Sequence, residues 1–311
     1  MTNEKAARPS VIFSPSSSPP GPRSWPLGFV HDLPNHDYHR GPGLSNSGLK
    51  LLRKSPWHYH SLNGIELPAW MLDEVDGEGS AAMFAGTLCH CATLEPFAFD
   101  DRYAIGPALN KNSKEWKAFV EAAKPRQVIS RKQYEVARAQ ATSLRNLADV
   151  REVLDDGEFE VSGYWLDQAT GVLCRCRPDC MNRGFGISSH GVSSPASMLL
   201  DVKTTQNASS TTELRRTIAN FGYHHQADWY KRGVETITRA PVCGFIFAFV
   251  ESTYPFAARV VELDELSMRI AREQNDEALQ IYAHCERMGE WPSYPPELET
   301  VSLPRWAGGE A

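Results

Sequence analysis

The sequence predicts a mixed α/β protein in which helices flank a mixed sheet. Its 311 residues are 41% hydrophobic and 23% charged, which is enough chain to bury one substantial core or two small ones. Helical periodicity dominates the first half, and a period-two pattern takes over near residue 158. From there the order of hairpin, strand, helix and strand is typical of a mixed sheet covered by helices.

Composition excludes several classes of protein. Collagen-like, coiled-coil and wholly disordered chains have other compositions, and the sequence contains no run of about 18 apolar residues that could cross a membrane. The N-terminus lacks a basic region followed by an apolar stretch, so we expect no secretory signal and a cytoplasmic location. The seven cysteines have no framework spacing, which predicts reduced thiols.

The N-terminal half is predicted to be a tail followed by helices. Residues 1–26 include the segment SPSSSPPGP and too few large apolar groups to repay the entropy of ordering, so we expect disorder. Ser45 or Ser47 is expected to cap the first helix, and Ser55-Pro56 to end it. The predicted helices are residues 44–55, 79–94, 113–123 and 131–154.

The C-terminal half supplies the sheet. Residues 158–166 and 172–180 are a predicted hairpin around Gly171, and the Gly/Ser-rich residues 183–197 are a predicted flexible loop. A strand, a helix, a buried strand and a final helix are predicted over residues 197–205, 212–233, 241–256 and 262–288. The expected organisation is a tail over 1–26, one domain over 27–300 and a C-terminal tail over 301–311.

The charge is distributed unevenly along the chain. The formal net charge is -6, but residues 251–311 hold 12 acidic and 5 basic side chains, whereas residues 101–151 hold 11 basic and 5 acidic ones. We therefore expect a polyanion to bind the basic segment and the basic end of the helix at 44–55. The acidic C-terminal segment is expected to face away from it.

Two acidic residues and a lysine are expected to converge in the segments RCRPD and DVKTT. On a strand, Asp201 and Lys203 share a face while Val202 points into the core. If the preceding hairpin strand lies beside it, Asp179 brings a second carboxylate. Two carboxylates attract a hard cation such as Mg²⁺, and the lysine could orient or deprotonate a water or stabilise a phosphate. Alone, Asp-x-Lys is an ordinary surface alternation and Arg-Pro-Asp is a turn, so the prediction depends on their order and spacing.

Two flanking helices carry side chains that suit such a site. His90, in GTLCH, could add a metal ligand, although a solitary helical histidine is more often a packed or surface group. In YHHQADWY, Gln226 and Tyr230 lie four residues apart on one helix face, with Tyr223 one turn earlier. These side chains could hold a phosphate or support the lysine, and packing explains the tyrosines equally well.

Five motifs in order carry a family resemblance. The succession GTLCH, FEVSGYW, CRCRPD, DVKTT and GYHHQADWY resembles the PD-(D/E)XK nuclease superfamily, specifically its exonuclease VIII (RecE-like) branch. The segments YHRGPGLSNSGLKLLRKSPWHY and LEPFAFDDRYAI extend the resemblance to roughly residues 36–260. It implies a restriction-endonuclease-like core and an exodeoxyribonuclease of phage or prophage type. Such an enzyme digests linear double-stranded DNA 5′ to 3′ and leaves 3′ single-stranded tails for recombination by strand annealing.

The resemblance also implies roles for individual residues. The implied metal ligands are His90, Asp179, Asp201 and the backbone carbonyl of Val202. The implied catalytic residues are Lys203, which would position or activate the attacking water, with Asp179, Asp201 and Glu160. The residues expected to contact DNA or phosphate are Gln226 and Tyr230, which match a Q-x-x-x-Y motif, with Tyr223 and Arg177.

The resemblance implies Mg²⁺ as the cofactor, with Mn²⁺ as a substitute. It implies double-stranded DNA ends, a single-strand annealing protein and further copies of the chain in a ring as partners, in a bacterial or phage-infected cell and away from membranes. Related nucleases hold an iron–sulfur cluster on four cysteines, but Cys174, Cys176 and Cys180 have no fourth cysteine nearby in the sequence, so no cluster is expected.

Two alternative functions stay open at this point. The same scaffold could carry a sequence-specific endonuclease of restriction or repair type. It could also be a DNA-binding or assembly module without catalytic activity, although the presence of Asp179, Asp201 and Lys203 together argues against that reading.

Overall fold

The structure, a computed structural model, describes residues 27–64, 81–189 and 192–303, and for residues 186–189 and 192–195 it describes the backbone alone. The predicted tail over residues 1–26, most of the predicted C-terminal tail and the first two residues of the helix predicted at 79–94 lie outside these ranges. Within them, no helix combines the length and the apolar character needed to cross a lipid bilayer.

Serine side chains start several helices of the N-terminal half. Ser45 Oγ accepts the backbone N–H of Gly48 at 3.2 Å, and Ser130 forms a reciprocal capping box with Gln133. These caps lie at or next to predicted helix starts, because capping is a local property that the sequence displays. The helices are α1 (Asn35–Arg40), α2 (Asn46–Leu52), α3 (Pro56–Asn63), α4 (Ala81–Leu94), α5 (Phe99–Arg102), α6 (Lys114–Ala123), α7 (Arg131–Arg145) and α8 (Ala148–Asp155).

Two helix predictions in this half are wrong in extent. The segment 131–154 is two helices, because the chain leaves α7 at Asn146 and turns before α8 begins. The turn directs α8 toward the sheet, where Val150 is fully buried. The Ser55-Pro56 pair not only ends a helix but starts α3, with Ser55 as the cap and Pro56 in the first turn, where a proline removes no helical hydrogen bond.

Most of the strands lie in the second half of the chain. The strands form two main sheets with helices around them. A five-stranded sheet has the order β10-β9-β8-β7-β4, with β8 and β9 parallel and the other pairs antiparallel. A three-stranded sheet has the order β1-β5-β6, and β2 and β3 form a parallel pair. The strands are β1 (Gly28–Val30), β2 (Tyr103–Ile105), β3 (Gln127–Ile129), β4 (Glu158–Phe159), β5 (Ser162–Leu166), β6 (Leu173–Cys176), β7 (Cys180–Ser189), β8 (Val192–Thr205), β9 (Val242–Glu251) and β10 (Ala258–Glu262). The remaining helices are α9 (Thr211–Phe221), α10 (Tyr223–Thr238) and α11 (Glu265–Met288).

The prediction of a flexible loop over residues 183–197 is wrong. The ladder between β7 and β8 runs from the Cys180–Leu200 pair to the Ser189–Val192 pair, so most of the segment is a two-stranded arm. Glycine and serine are typical of loops, but the ladder uses backbone groups and does not require apolar side chains. Pairing with the neighbouring strand therefore overrides the composition of the segment.

Three predicted elements are interrupted where the backbone changes direction. The strand predicted over 158–166 breaks at Glu160, whose φ of 51° is left-handed, so that β4 and β5 join different sheets. The strand predicted over 172–180 also divides, because the Arg-Pro-Asp tripeptide carries the chain from β6 in the small sheet to β7 in the large one. Gly222, with φ 71°, separates α9 from α10 within the helix predicted over 212–233.

The large sheet is buried on both faces, and its strands alternate between two apolar layers. One layer, against α4, α7 and α8, contains Val202. The other layer, against α9 and α10, contains Leu199 and Phe247. Because side chains alternate along a strand, Asp201 and Lys203 project together toward the second layer. The predicted direction of Val202 into the core is confirmed, as is the mixed α/β fold with helices on the sheet.

Candidate active site

Asp179 lies on the turn that leads into β7, where the two sheets meet. Because Cys180 pairs with Leu200, the Asp179 side chain reaches the backbone of β8, and its Oδ2 accepts the Val202 N–H at 2.7 Å. Its backbone carbonyl accepts the Glu160 N–H at 3.2 Å. Asp179 is buried, so these hydrogen bonds fix the direction of its carboxylate.

His90 reaches this carboxylate from α4. A Cβ atom placed on Gly86 would lie 3.6 Å from the Thr204 side chain on β8. Helix α4 therefore lies close to that strand. His90 is one helical turn after Gly86 and therefore faces the same way. Its Nδ1 lies 3.3 Å from Asp179 Oδ2, and the imidazole is 28% exposed. The structure thus brings together two of the residues predicted to bind metal.

Glu160 completes a group of three possible ligands. One ligand atom each of His90, Glu160 and Asp179 lies within 4.8 Å of the others. The left-handed backbone of Glu160 is a strained conformation for a residue other than glycine, and such strain is common at functional sites. An imidazole nitrogen and two carboxylate oxygens are a chemically suitable set for a divalent cation.

Asp201 lies beside Lys203, with which it was predicted to share a strand face. It is completely buried; Lys203 Nζ lies 2.5 Å from its Oδ2, and Gln226 Nε2 donates to its Oδ1. The group of three possible ligands does not include it. Asp201 therefore orients the lysine in this structure, next to the cation site.

Lys203 is held between a carboxylate and an aromatic ring. Its Nζ lies 4.9 Å from the centre of the Tyr223 ring, and its side chain is 17% exposed. Burial lowers the pKa of Lys203, but the carboxylates of Asp201 and Asp179 raise it by more, so the pKa lies above its usual 10.5. The lysine is therefore an ammonium at neutral pH.

The carboxyl groups of Glu160 and Asp201 are harder to ionise than free carboxyl groups. Burial, followed by the charge of Asp179, raises the pKa of Glu160 from its usual 4.5 to about 8. Burial and the same neighbour raise the pKa of Asp201 to about 6, although Lys203 opposes the change. A bound cation would favour the ionised form of these carboxyl groups, so the residues present fit a divalent metal ion.

The remaining predicted residues surround this centre. Tyr223 and Gln226 contact Lys203 and Asp201 as described, whereas Tyr230 is packed between two apolar clusters, and burial raises its pKa well above 10. Arg177 lies in the wall of the cleft, but its guanidinium donates to Ser162 Oγ and to the Leu33 carbonyl and stacks over Tyr38. These contacts are internal to the fold, so its predicted contact with phosphate stays a prediction.

A cleft of about 570 Å³ opens beside His90 and Glu160. Its wall includes an ion pair in which Arg102 Nη1 and Nη2 lie 2.6 and 2.7 Å from the two Glu95 oxygens. Both residues belong to the segment LEPFAFDDRYAI, which carries part of the family resemblance, but neither was predicted as a site residue.

The cysteines near the site are packing groups. Cys89 and Cys180 lie in the apolar layer against α4, and Cys174 and Cys176 share the cluster beneath α2 and α10. Burial raises the pKa of Cys89, Cys176 and Cys180 to about 12, which keeps these thiols protonated and unreactive.

Comparison with known proteins identifies a family and a common fold. A family model described as a PDDEXK-like domain of unknown function (DUF3799) matches residues 45–304. No curated protein sequence matches the chain.

Among solved structures, that of a “putative exonuclease” from Eubacterium rectale matches with a TM-score of 0.52 at 13% identity, over 86% of this chain and 97% of that one; at this identity it shows a common fold. The structure of the protein SSO0001 matches with a TM-score of 0.25 at 12% identity, over 62% of this chain and 85% of that one. Because the family model matches 260 of the 311 residues, the chain belongs to the PDDEXK-like family, and its predicted membership of the PD-(D/E)XK nuclease superfamily is confirmed.

Proposed function

We propose that the protein is a divalent-metal-dependent exodeoxyribonuclease that hydrolyses linear double-stranded DNA from its 5′ ends. The observation that carries the proposal is the group of His90, Glu160 and Asp179 beside a lysine held as an ammonium. Membership of the PDDEXK-like family and the common fold with a protein described as an exonuclease support nuclease activity. The exonuclease mode and the polarity derive from the resemblance of the motifs to the RecE-like branch.

The cation would be held by His90, Glu160 and Asp179. The Asp201 carboxylate would contribute further negative charge beside these ligands. Mg²⁺ is the expected ion because carboxylate oxygens predominate, and the imidazole makes Mn²⁺ an acceptable substitute. A divalent cation bound there would supply positive charge to the scissile phosphate and to the attacking water.

The chain's own residues would orient the reacting groups. Lys203 enters the site as a hydrogen-bond donor, so it is suited to hold a phosphate oxygen or the attacking water in place. Asp201 and the Tyr223 ring fix the position of its ammonium group. Gln226 in turn holds Asp201, which connects α10 to the orientation of the lysine.

DNA would approach over the basic part of the chain. The lysines and arginines of α6 and α7 are mostly exposed, as binding to the phosphate backbone requires. By the same resemblance, the single-stranded 3′ tails would pass to an annealing protein, and several copies of the chain would surround the duplex as a ring.

Timed digestion of linear duplex DNA tests the proposal. The label is placed at the 5′ end or the 3′ end in separate reactions with Mg²⁺, Mn²⁺ or EDTA. We expect early release of the 5′ label alone, and none in EDTA. Lys203→Met should reduce the rate at least about a hundredfold, as for the loss of one preorganised donor to the transition state. Lys231→Met is the matched control, because Lys231 lies near Cys243 at the opposite end of β9.

The same assay separates the alternative functions. A sequence-specific endonuclease would cut closed circular DNA, which offers no ends, and that result would refute the exonuclease mode while keeping the nuclease. Equal and slow release by the wild type and Lys203→Met would instead indicate a DNA-binding module.

A further inference from the structure

Phe221 is an exposed aromatic ring directly connected to the candidate active site. It is the last residue of α9, and 56% of it is exposed. Its ring lies 5.5 Å from the Tyr223 ring with only 15° between their planes. Tyr223 in turn carries the Lys203 ammonium on its face. Among the residues that the structure describes, the other strongly exposed aromatic rings make no ring contact with a residue of this site.

The core does not account for the position of Phe221. Leu214 and Ile218 anchor the apolar face of α9 and are 2% and 9% exposed. Phe221 lies one turn further on, where Gly222 ends the helix with a left-handed residue. The turn directs the ring outward beside Tyr223 rather than into the layer below.

The distances suit a nucleic acid whose phosphate lies at the lysine. The ring centre of Phe221 is within about 10 Å of Lys203 Nζ, since the intervening separations are 5.5 and 4.9 Å. Neighbouring nucleotides of one strand are about 3.4 Å apart along a duplex, so the bases within two or three nucleotides of the scissile phosphate are in reach.

We propose that Phe221 is a stacking platform for an unpaired nucleobase of the strand being cleaved, within three nucleotides of the scissile phosphate. This inference rests on the proposed nuclease function and specifies the substrate as a frayed end. A ring can stack only on a base whose face is free, so the platform stabilises the separated end of a duplex. Stacking tolerates any sequence, because every base has a π face.

Coupling between Phe221→Ala and the loss of one base tests the proposal. The probes are duplexes with an abasic nucleotide at the first, second or third position from the 5′ end, and an intact duplex. Dissociation constants are measured by fluorescence anisotropy in the Lys203→Met background with Mg²⁺, so that DNA stays intact, and kcat and KM are measured with the natural lysine. The exposed position of Phe221 means that the variant should fold, and circular dichroism melting checks this.

We expect Phe221→Ala to weaken binding of intact duplex and to raise KM by about fivefold to a hundredfold, the range for loss of one base stack. On the probe that lacks the stacked base, Phe221→Ala and the protein with the natural Phe221 should have the same dissociation constant. Phe221→Trp should restore binding, and Phe221→Leu, which keeps the apolar bulk without a π face, should not.

Equal effects of Phe221→Ala on intact and abasic DNA would overturn the platform, and so would no effect on either. A merely structural role, in which the ring supports Tyr223, would lower kcat on every probe alike. Base-specific coupling without any cleavage by the wild type would keep the platform and refute the nuclease, whereas absence of DNA binding would overturn both.

Discussion

Replacement of Glu160 by glutamine should stabilise the metal-free protein at neutral pH and weaken its stabilisation by metal. Burial and the neighbouring Asp179 charge raise the pKa of Glu160 from 4.5 to about 8. The unfolded chain therefore releases this proton at lower pH than the folded chain. The contribution of Glu160 to stability is complete below pH 4.5 and is lost as the pH rises toward 8. Glutamine does not ionise, so Glu160→Gln escapes this loss.

The expected difference follows from the two pKa values. Between pH 6 and pH 8, ionisation of Glu160 should cost the metal-free wild type about 2 kcal/mol of its free energy of unfolding. For a chain of this size that corresponds to a decrease in Tm of about 3 °C. Bound cation favours the ionised carboxylate and should restore the wild-type Tm at pH 8.

Thermal unfolding followed by circular dichroism provides the measurement. Wild type, Glu160→Gln and the exposed control Glu152→Gln are melted in EDTA at pH 6, 7 and 8, then in increasing Mg²⁺ or Mn²⁺. Glu160→Gln should show a shallower decrease with pH and a smaller stabilisation by metal, whereas the control should follow the wild type. Identical pH dependence of wild type and Glu160→Gln in EDTA would refute the argument about burial. Undiminished stabilisation by metal would remove Glu160 from the ligand set.

Two further predictions concern the support of the site. Asp228 is 1% exposed and accepts hydrogen bonds from Arg272, Arg232 and Asn275, so Asp228→Ala should lower the free energy of unfolding by about 2 kcal/mol or more, because these hydrogen bonds to a buried carboxylate are lost; urea denaturation with a change below about 1 kcal/mol would contradict this. Gly222→Ala and Gly289→Ala should each lower the Tm, because alanine at a left-handed position costs about 1 kcal/mol. Nuclease assays should show that only Gly222→Ala also slows cleavage, since only that turn adjoins the aromatic residues of the site, and equal slowing by both would refute a local effect.

Local periodicity predicted the lysine side of the site, and tertiary pairing determined the rest. Asp201 and Lys203 share a strand face, and Gln226 shares a helix face with its neighbours, because both patterns depend on residues close in sequence. Which carboxylate Gln226 would bind depends on how α10 packs on the sheet. That packing places Gln226 on Asp201 and assigns the aspartate to the lysine.

The cation side of the site depends on features that single-residue patterns do not display. Glu160 reaches Asp179 only because the chain breaks there with a positive φ and changes sheets. Glutamate has no special preference for that conformation, so the sequence carries no signal of it. The sequence did not predict the two-stranded arm over 183–197 for a related reason. Its strand pairing continues the register set at Cys180 and does not depend on its own composition.

The pairing of β8 also imposes an order of assembly on the growing chain. Its antiparallel partner β7 precedes it directly, whereas its parallel partner β9 follows only after residues 206–241. While those residues are being synthesised, the backbone N–H and C=O groups along one edge of β8 have no partner. This is the strand that carries Asp201 and Lys203. An open edge is a template for pairing with other chains, so we expect chains that stop before residue 242 to aggregate, measurable as their loss from the soluble fraction after cell-free translation. The strand that carries the lysine of the site is thus also the part of the nascent protein that most needs protection.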